Sequence, residues 1–225
     1  MKLIAVNGSP RKKWNTARLL EKVVDGAKAA GMGAKLVHLY DFDFKGCISC
    51  FGCKRIGGKS YGRCAMRDGL TPLLDEIHGA DALALGSPVY FMAETGETRS
   101  FMERVAFQYL RYADPPGTLF PRRIRTALVY TMNVNEEQAG AMGLTARTDM
   151  SRWFTERVFG SCEVLNSYDT LQFSDYDAYE NSRFDPKAKM RRHEEVFPKD
   201  MEQAFELGQR MALPLPETAE RAGGD

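Results

Sequence analysis

Apolar and polar positions along this chain switch between two periods, and the switches mark out alternating strands and helices. Lys2-Leu3-Ile4-Ala5-Val6 is a short apolar run that reads as a buried strand. Ala17, Leu19, Leu20, Val23, Val24 and Ala27 then recur at helical spacing up to Gly31. Residues 34–40 alternate and predict a second strand. Asp68 can cap a helix running through Leu70, Leu73, Leu74 and Ile77. Residues 80–85 are small and apolar, as a central parallel strand should be. A helix is expected over 98–111, a break at Asp114-Pro115-Pro116-Gly117 and a fourth strand over 125–131. A helix over 137–159, weakened at its start by Gly140 and Gly143, leads to a fifth strand over 161–170. Residues 171–186, rich in Asp, Tyr and Ser, read as an irregular excursion. A helix over 188–211, bent at Pro198, closes one domain of residues 1–212, and residues 213–225 form a loose tail.

Strands alternating with helices predict an α/β fold, a doubly wound five-stranded parallel sheet with helices on both faces. In such sheets ligands bind outside the carboxyl ends of the strands, at the switch point. The loops after the first, third and fourth strands are the candidates: residues 7–16, 86–92 and 132–135. In a strand order 2-1-3-4-5 these strands are neighbours, and the loops converge on one crevice.

The first of these loops carries the chemistry. Gly8 permits a tight turn, Ser9, Asn15 and Thr16 offer short hydrogen-bonding side chains, and Asn15 is a good N-cap type. Arg11, Lys12 and Lys13 add positive charge at a helix N-terminus, where unpaired N–H groups and the helix dipole favour an anion. The same residues would also suit an ordinary strand-to-helix loop with a solvated basic cluster. There is no G-x-x-x-x-G-K-[ST] and no G-x-G-x-x-G, which argues against a nucleoside-triphosphate loop and a dinucleotide fingerprint. A Ser/Asn/Thr-lined loop suits a phosphomonoester.

Bulk composition narrows the classes. The 225 residues suffice for one α/β domain with a full core, and 44% hydrophobic with 27% charged residues is the range of soluble globular proteins. A formal net charge of +1 argues against nucleic acid or an anionic membrane as partner. No apolar run approaches the ~20 residues of a membrane span, and the chain enters a strand at once without a leader pattern, so a cytoplasmic location is expected.

Of five cysteines, Cys47, Cys50, Cys53 and Cys64 are crowded into a glycine-containing segment, residues 46–67, that lacks clean periodicity and reads as a long functional loop. In a reducing compartment such crowding points to metal or redox chemistry rather than structural disulfides. The spacing C-x2-C-x2-C delivers three thiolates from one tight loop, with Cys64 as a fourth. A [4Fe-4S] cluster, free thiols and zinc all stay open. Lys54, Arg55, Lys59 and Arg63 would stabilise an anionic cluster or form a solvated face. Cys162 reads as a small buried residue. His38, His78 and His193 show no ligand spacing, Trp153 reads as helix packing, and Arg122, Arg123 and Arg125 as a solvated strand entrance.

Asn7-Gly8-Ser9-Pro10-Arg11 with Asn15-Thr16, then Gly86-Ser87-Pro88-Val89-Tyr90, resembles the NADPH-dependent FMN reductase family of flavodoxin-like proteins. Cys47-x-x-Cys50-x-x-Cys53 with Cys64 resembles its iron–sulfur flavoprotein branch, although the ten-residue final gap is longer than that branch usually has. The resemblance implies a flavodoxin-like fold with FMN phosphate on Ser9, Arg11, Asn15 and Thr16. It implies that Ser87 is among the cofactor-binding residues and that Pro88, Val89, Tyr90, Phe91 and Met92 line the isoalloxazine, with Thr131, Met132 and Asn133 on a third side. It further implies FMN-dependent electron transfer from NAD(P)H to a small-molecule or protein acceptor, with no catalytic side chain required, in a homodimer or homotetramer. Two other activities fit the same residues: an iron–sulfur electron carrier fed by a ferredoxin-like donor, and a flavin-binding module without turnover.

Overall fold

The computed structural model describes residues 1–215; the last ten positions of the expected tail, 216–225, lie outside the described residues. Five strands, β1 (Lys2–Asn7), β2 (Gly33–His38), β3 (Ala82–Tyr90), β7 (Arg125–Thr131) and β8 (Glu163–Ser167), form a parallel sheet in the order β2-β1-β3-β7-β8. This is the expected 2-1-3-4-5 winding. Three short strands complete the set: β4 (Ala93–Glu94) folds back antiparallel on β3, and β5 (Leu110–Arg111) pairs with β6 (Gly117–Thr118).

The alternation within β1 shows why helices cover both faces. Leu3 and Ala5 pack with α1 (Asn15–Ala29) and α7 (Phe197–Met211), whereas Ile4 and Val6 pack with α2 (Thr71–His78) and α3 (Gly96–Phe107). Side chains of successive strand residues leave the sheet on opposite sides, so an all-apolar strand builds two cores. Alanines at Ala82, Ala84 and Ala127 let α1 lie close against the sheet on the first side.

Several expected boundaries move. The loop expected over 86–92 is mostly strand: β3 runs on to Tyr90 and turns back through Phe91 and Met92. The helix expected over 98–111 starts earlier, where the Thr95 side chain accepts from Thr98 N at 3.3 Å, and stops at Phe107. The helix expected over 137–159 is two, α4 (Glu136–Ala141) and α5 (Leu144–Phe159), parted by Gly143 at φ 73°. The closing helix is broken, not bent. α6 (Pro186–Glu195) and α7 meet at Val196, and Pro198 sits in the first turn of α7, where a missing N–H has no helical partner to lose. At the chain end, the Arg125 guanidinium donates to the carbonyls of Leu213, at 2.9 Å, and Pro214, at 2.6 Å.

Candidate functional site

The β1–α1 turn forms one wall of a cavity of about 250 Å³ at the carboxyl ends of β1, β3 and β7. Ser9, Arg11, Asn15 and Thr16 come from that turn, Pro88, Val89 and Tyr90 from β3, and Thr131, Met132 and Asn133 from β7 and its loop. The three expected loops therefore converge, because their strands are neighbours in the sheet.

Local hydrogen bonds shape the turn. Ser9 N donates to Asn7 Oδ1 at 3.1 Å, and Arg11 N donates to Ser9 Oγ at 3.1 Å. Gly8 is needed for close approach rather than for an unusual dihedral: a Cβ there would overlap Thr98 Oγ1, and its carbonyl accepts from Thr95 Oγ1 at 2.8 Å. Asn15 is not the N-cap. Trp14 holds that position, no side chain caps α1, and no acidic residue occupies the first turn. The positive end of a fifteen-residue helix thus has neither a side-chain cap nor an acidic residue of its own first turn. Thr16 Oγ1 lies 2.7 Å from Thr131 Oγ1, joining α1 to β7 across the cavity floor.

Three expected site residues are not brought to this cavity. The buried Ser87 hydroxyl accepts from Thr95 N at 3.1 Å and from Thr98 Oγ1 at 3.2 Å, which commits it to the start of α3. Phe91 and Met92 form the two-residue turn between β3 and β4, at φ 48° and 67°. Phe91 is fully exposed, and Met92 lines a different cavity.

Sequence reasoning missed a fourth wall, Thr170, Leu171 and Gln172, from the segment read only as irregular. The Leu171 carbonyl accepts from Asn15 Nδ2 at 2.8 Å and from Trp14 Nε1 at 3.0 Å, and the Gln172 carbonyl accepts from Arg11 Nη1 at 2.6 Å. Two of the expected anion ligands therefore hold backbone of this wall. Lys189, buried on α6, was missed as well: its ammonium donates to the Asn133 carbonyl at 2.9 Å and Oδ1 at 2.5 Å, and pairs with Asp169. No local pattern marks a lysine whose partners lie 56 and 20 positions away.

The cysteines share a segment without sharing a point. Cys50 is exposed, Cys53 is buried, and Cys64 Sγ accepts from Arg104 Nε at 3.1 Å. Arg104 is fully buried and also donates to both oxygens of Asp68, at 2.7 and 3.2 Å. Among the described residues no three His, Cys, Asp or Glu side chains are placed to hold a metal ion. As folded here, Cys47, Cys50, Cys53 and Cys64 do not make the ligand set that their spacing suggested. Ser49 and Phe51 take left-handed backbone between these cysteines, and Arg104 engages the Cys64 sulfur. Burial pushes the Cys53 thiol above its ordinary pKa, with Lys54 partly opposing. Lys54 itself donates to the carbonyls of Phe107 and Leu110 at and beyond the end of α3, so its ammonium is held by backbone rather than by solvent alone, while its charge still acts on Cys53 and Cys47.

Other expectations are settled by contacts. His78 Nδ1 meets Tyr109 Oη at 3.0 Å, and His38 Nδ1 meets Asn7 Nδ2 at 3.0 Å, both structural. Trp153 is not helix packing; it is 49% exposed beside Phe154. Arg122 is half-buried and donates to the carbonyls of His78 and Ala80, whereas Arg123 is exposed, as expected of a solvated entrance, and donates to the Gly160 carbonyl. Cys162 is half-buried, and burial raises its thiol to about 11.

Comparison with known proteins follows this geometry. The chain is 36% identical over 104 residues to an iron-sulfur flavoprotein of Archaeoglobus fulgidus, covering 46% of this chain and 48% of that one. It is 32% identical over 104 residues to an iron-sulfur flavoprotein of Methanocaldococcus jannaschii, covering 46% of this chain and 51% of that one. The chain thus spans about half the length of these curated relatives. In fold it is similar to an NAD(P)H:quinone oxidoreductase from Methanothermobacter marburgensis, with TM-score 0.65, 17% identity, and coverage of 94% of this chain and 98% of that one. An azoreductase from Bacillus anthracis gives TM-score 0.65 and 13% identity, covering 93% of this chain and 99% of that one. No helix among the described residues is long and apolar enough to cross a membrane. The sequence model of the NADPH-dependent FMN reductase family matches residues 1–136, more than half of the chain, and the protein belongs to that family.

Proposed function

We propose that this protein is an FMN-dependent oxidoreductase that takes reducing equivalents from NAD(P)H and passes them to a small-molecule or protein acceptor. One observation carries the reading: an α1 N-terminus without a side-chain cap opens, beside Ser9 and Thr16, into a cavity whose far wall is Pro88-Val89-Tyr90. The donors suit a phosphomonoester, and the proline–tyrosine strand end suits a flat ring. Bound there, FMN supplies hydride and single-electron transfer at its ring.

The chain's own residues bind and orient. Main-chain N–H groups of the first turn, with Ser9 and Thr16, take the phosphate. Arg11 adds positive charge while holding Gln172 over the cavity. Lys189 fixes Asn133, which donates from Nδ2 to Gln172 Oε1 at 2.7 Å, so two walls are braced together. The exposed Met150, Trp153 and Phe154 on α5 support a homo-oligomer.

Titration of flavin-free protein with FMN, followed by quenching of flavin fluorescence, tests the reading. A stoichiometric, saturable complex that oxidises NADPH or NADH is expected, and absence of binding removes the proposal. The names of the curated relatives raise a second reading, a cluster-bearing electron carrier. Among the described residues the thiols are not placed as a metal-ligand set. Iron and acid-labile sulfide analysis of anaerobically purified protein decides it.

A further inference from the structure

A second cavity, of about 520 Å³, lies against β4 and the start of α5. Its floor is Glu94, whose side chain is 7% exposed. Glu94 Oε1 accepts from Tyr130 Oη at 2.7 Å and from Ser151 Oγ at 2.6 Å. Oε2 has only a long 3.5 Å contact with Arg99, itself 52% exposed. A carboxylate has about four lone-pair sites, so Oε2 retains capacity to accept. Burial pushes this carboxyl up, but the bonds from Ser151 and Tyr130 more than offset it, and the group stays ionised.

A buried carboxylate is costly where an apolar residue would pack, and the bonds from Tyr130 and Ser151 engage only one of its two oxygens. Val89, Met92 and Leu144 give the cavity apolar walls, and Arg99 and Arg147 stand among its lining. Two guanidinium groups disfavour a cationic ligand. They match an anion, the apolar walls match a ring, and Glu94 Oε2, held only by the long Arg99 contact, matches an O–H or N–H donor.

We propose that this cavity is a binding site for a small aromatic acid with a hydrogen-bond donor opposite its anionic group. The donor reaches Glu94 Oε2, the ring lies between Val89 and Leu144, and the anion meets Arg99 and Arg147. Val89 also lines the first cavity, so the two sites meet at the end of β3. As the seat of an electron acceptor this site rests on the proposed flavin function; as a binding site it does not.

The test is calorimetric titration with 4-hydroxybenzoate, a probe without redox turnover, on flavin-free and FMN-loaded protein. Saturable one-to-one binding in both is expected, with benzoate and phenol each about ten-fold weaker, or about 1.4 kcal/mol. Glu94→Gln and the surface variant Arg147→Gln are each expected to weaken the probe about five- to ten-fold. No saturable binding to either form overturns the proposal. So does phenol binding as well as the probe, binding abolished by FMN loading, or unchanged affinity in both variants. A protein that fails to bind FMN sinks the flavin reading but leaves the flavin-free titration to be judged by itself.

Discussion

The hydroxyls of Thr16 and Thr131 lie 2.7 Å apart, both buried, and connect the first turn of α1 to the last residue of β7. Each hydroxyl is the other's partner, so loss of one strands its neighbour. Thr16→Val and Thr131→Val should each destabilise the protein by about 1–3 kcal/mol, and the double variant by less than the sum. Urea unfolding of the four proteins measures this. FMN titration should show weaker binding for Thr16→Val, because that hydroxyl also faces the cavity.

Gly8 is held against α3 by the absence of a side chain. Gly8→Ala should cost about 1–3 kcal/mol by overpacking, since its Cβ would overlap Thr98 Oγ1. Adding Thr98→Ala removes the overlapping atom, and the double variant should melt above Gly8→Ala. A double variant that melts lower would show that the glycine serves another purpose.

The fully buried Arg104 and the half-buried Asp68 form a bidentate pair that ties the cysteine segment to α3. The hydrogen bond from Arg104 holds the Asp68 carboxyl below the usual range, against the opposing effect of burial. A depressed carboxyl stabilises the fold fully above its unfolded pKa, about 3.9, and loses that contribution as pH falls through the lower folded value. Asp68→Asn should therefore cost about 3–5 kcal/mol at neutral pH, with the gap to the natural protein narrowing under acid. Urea midpoints recorded from about pH 3 to about pH 7 check both the size and the sign.

The turn at Phe91 and Met92 places two bulky residues at positive φ, where a hairpin of this length favours Asn-Gly. Such backbone costs about 1–3 kcal/mol per residue. Phe91→Asn with Met92→Gly should raise the melting temperature. An unchanged or lower value would mean that packing of Met92 in its cavity outweighs the strain.

Much of this molecule was legible in its residues. Leu3 to Val6, Ala82 to Leu85 and the helical spacing of Leu19, Leu20, Val23 and Val24 announce a two-sided sheet, because burial on both faces leaves no polar position in a strand. The turn from Gly8 to Thr16 suggests the proposed anion site for the same local reason: helix start, small polar side chains and glycine lie within one short stretch. The role of Ser87 was not legible locally, because its neighbours in space, Thr95 and Thr98, engage its hydroxyl. The cysteine spacing was read correctly as a motif, yet Arg104 takes one sulfur and burial takes another.

The sequence by itself determined the alternation of strands and helices, the two cores and the small polar residues of the cradle at the first turn, since these follow from periodicity and local backbone chemistry. Only the tertiary structure decided that Leu171 and Gln172 close that cradle, that Lys189 braces Asn133, and that Glu94 faces a cavity of its own. Those arrangements depend on partners brought together from distant parts of the chain, and no local pattern records them.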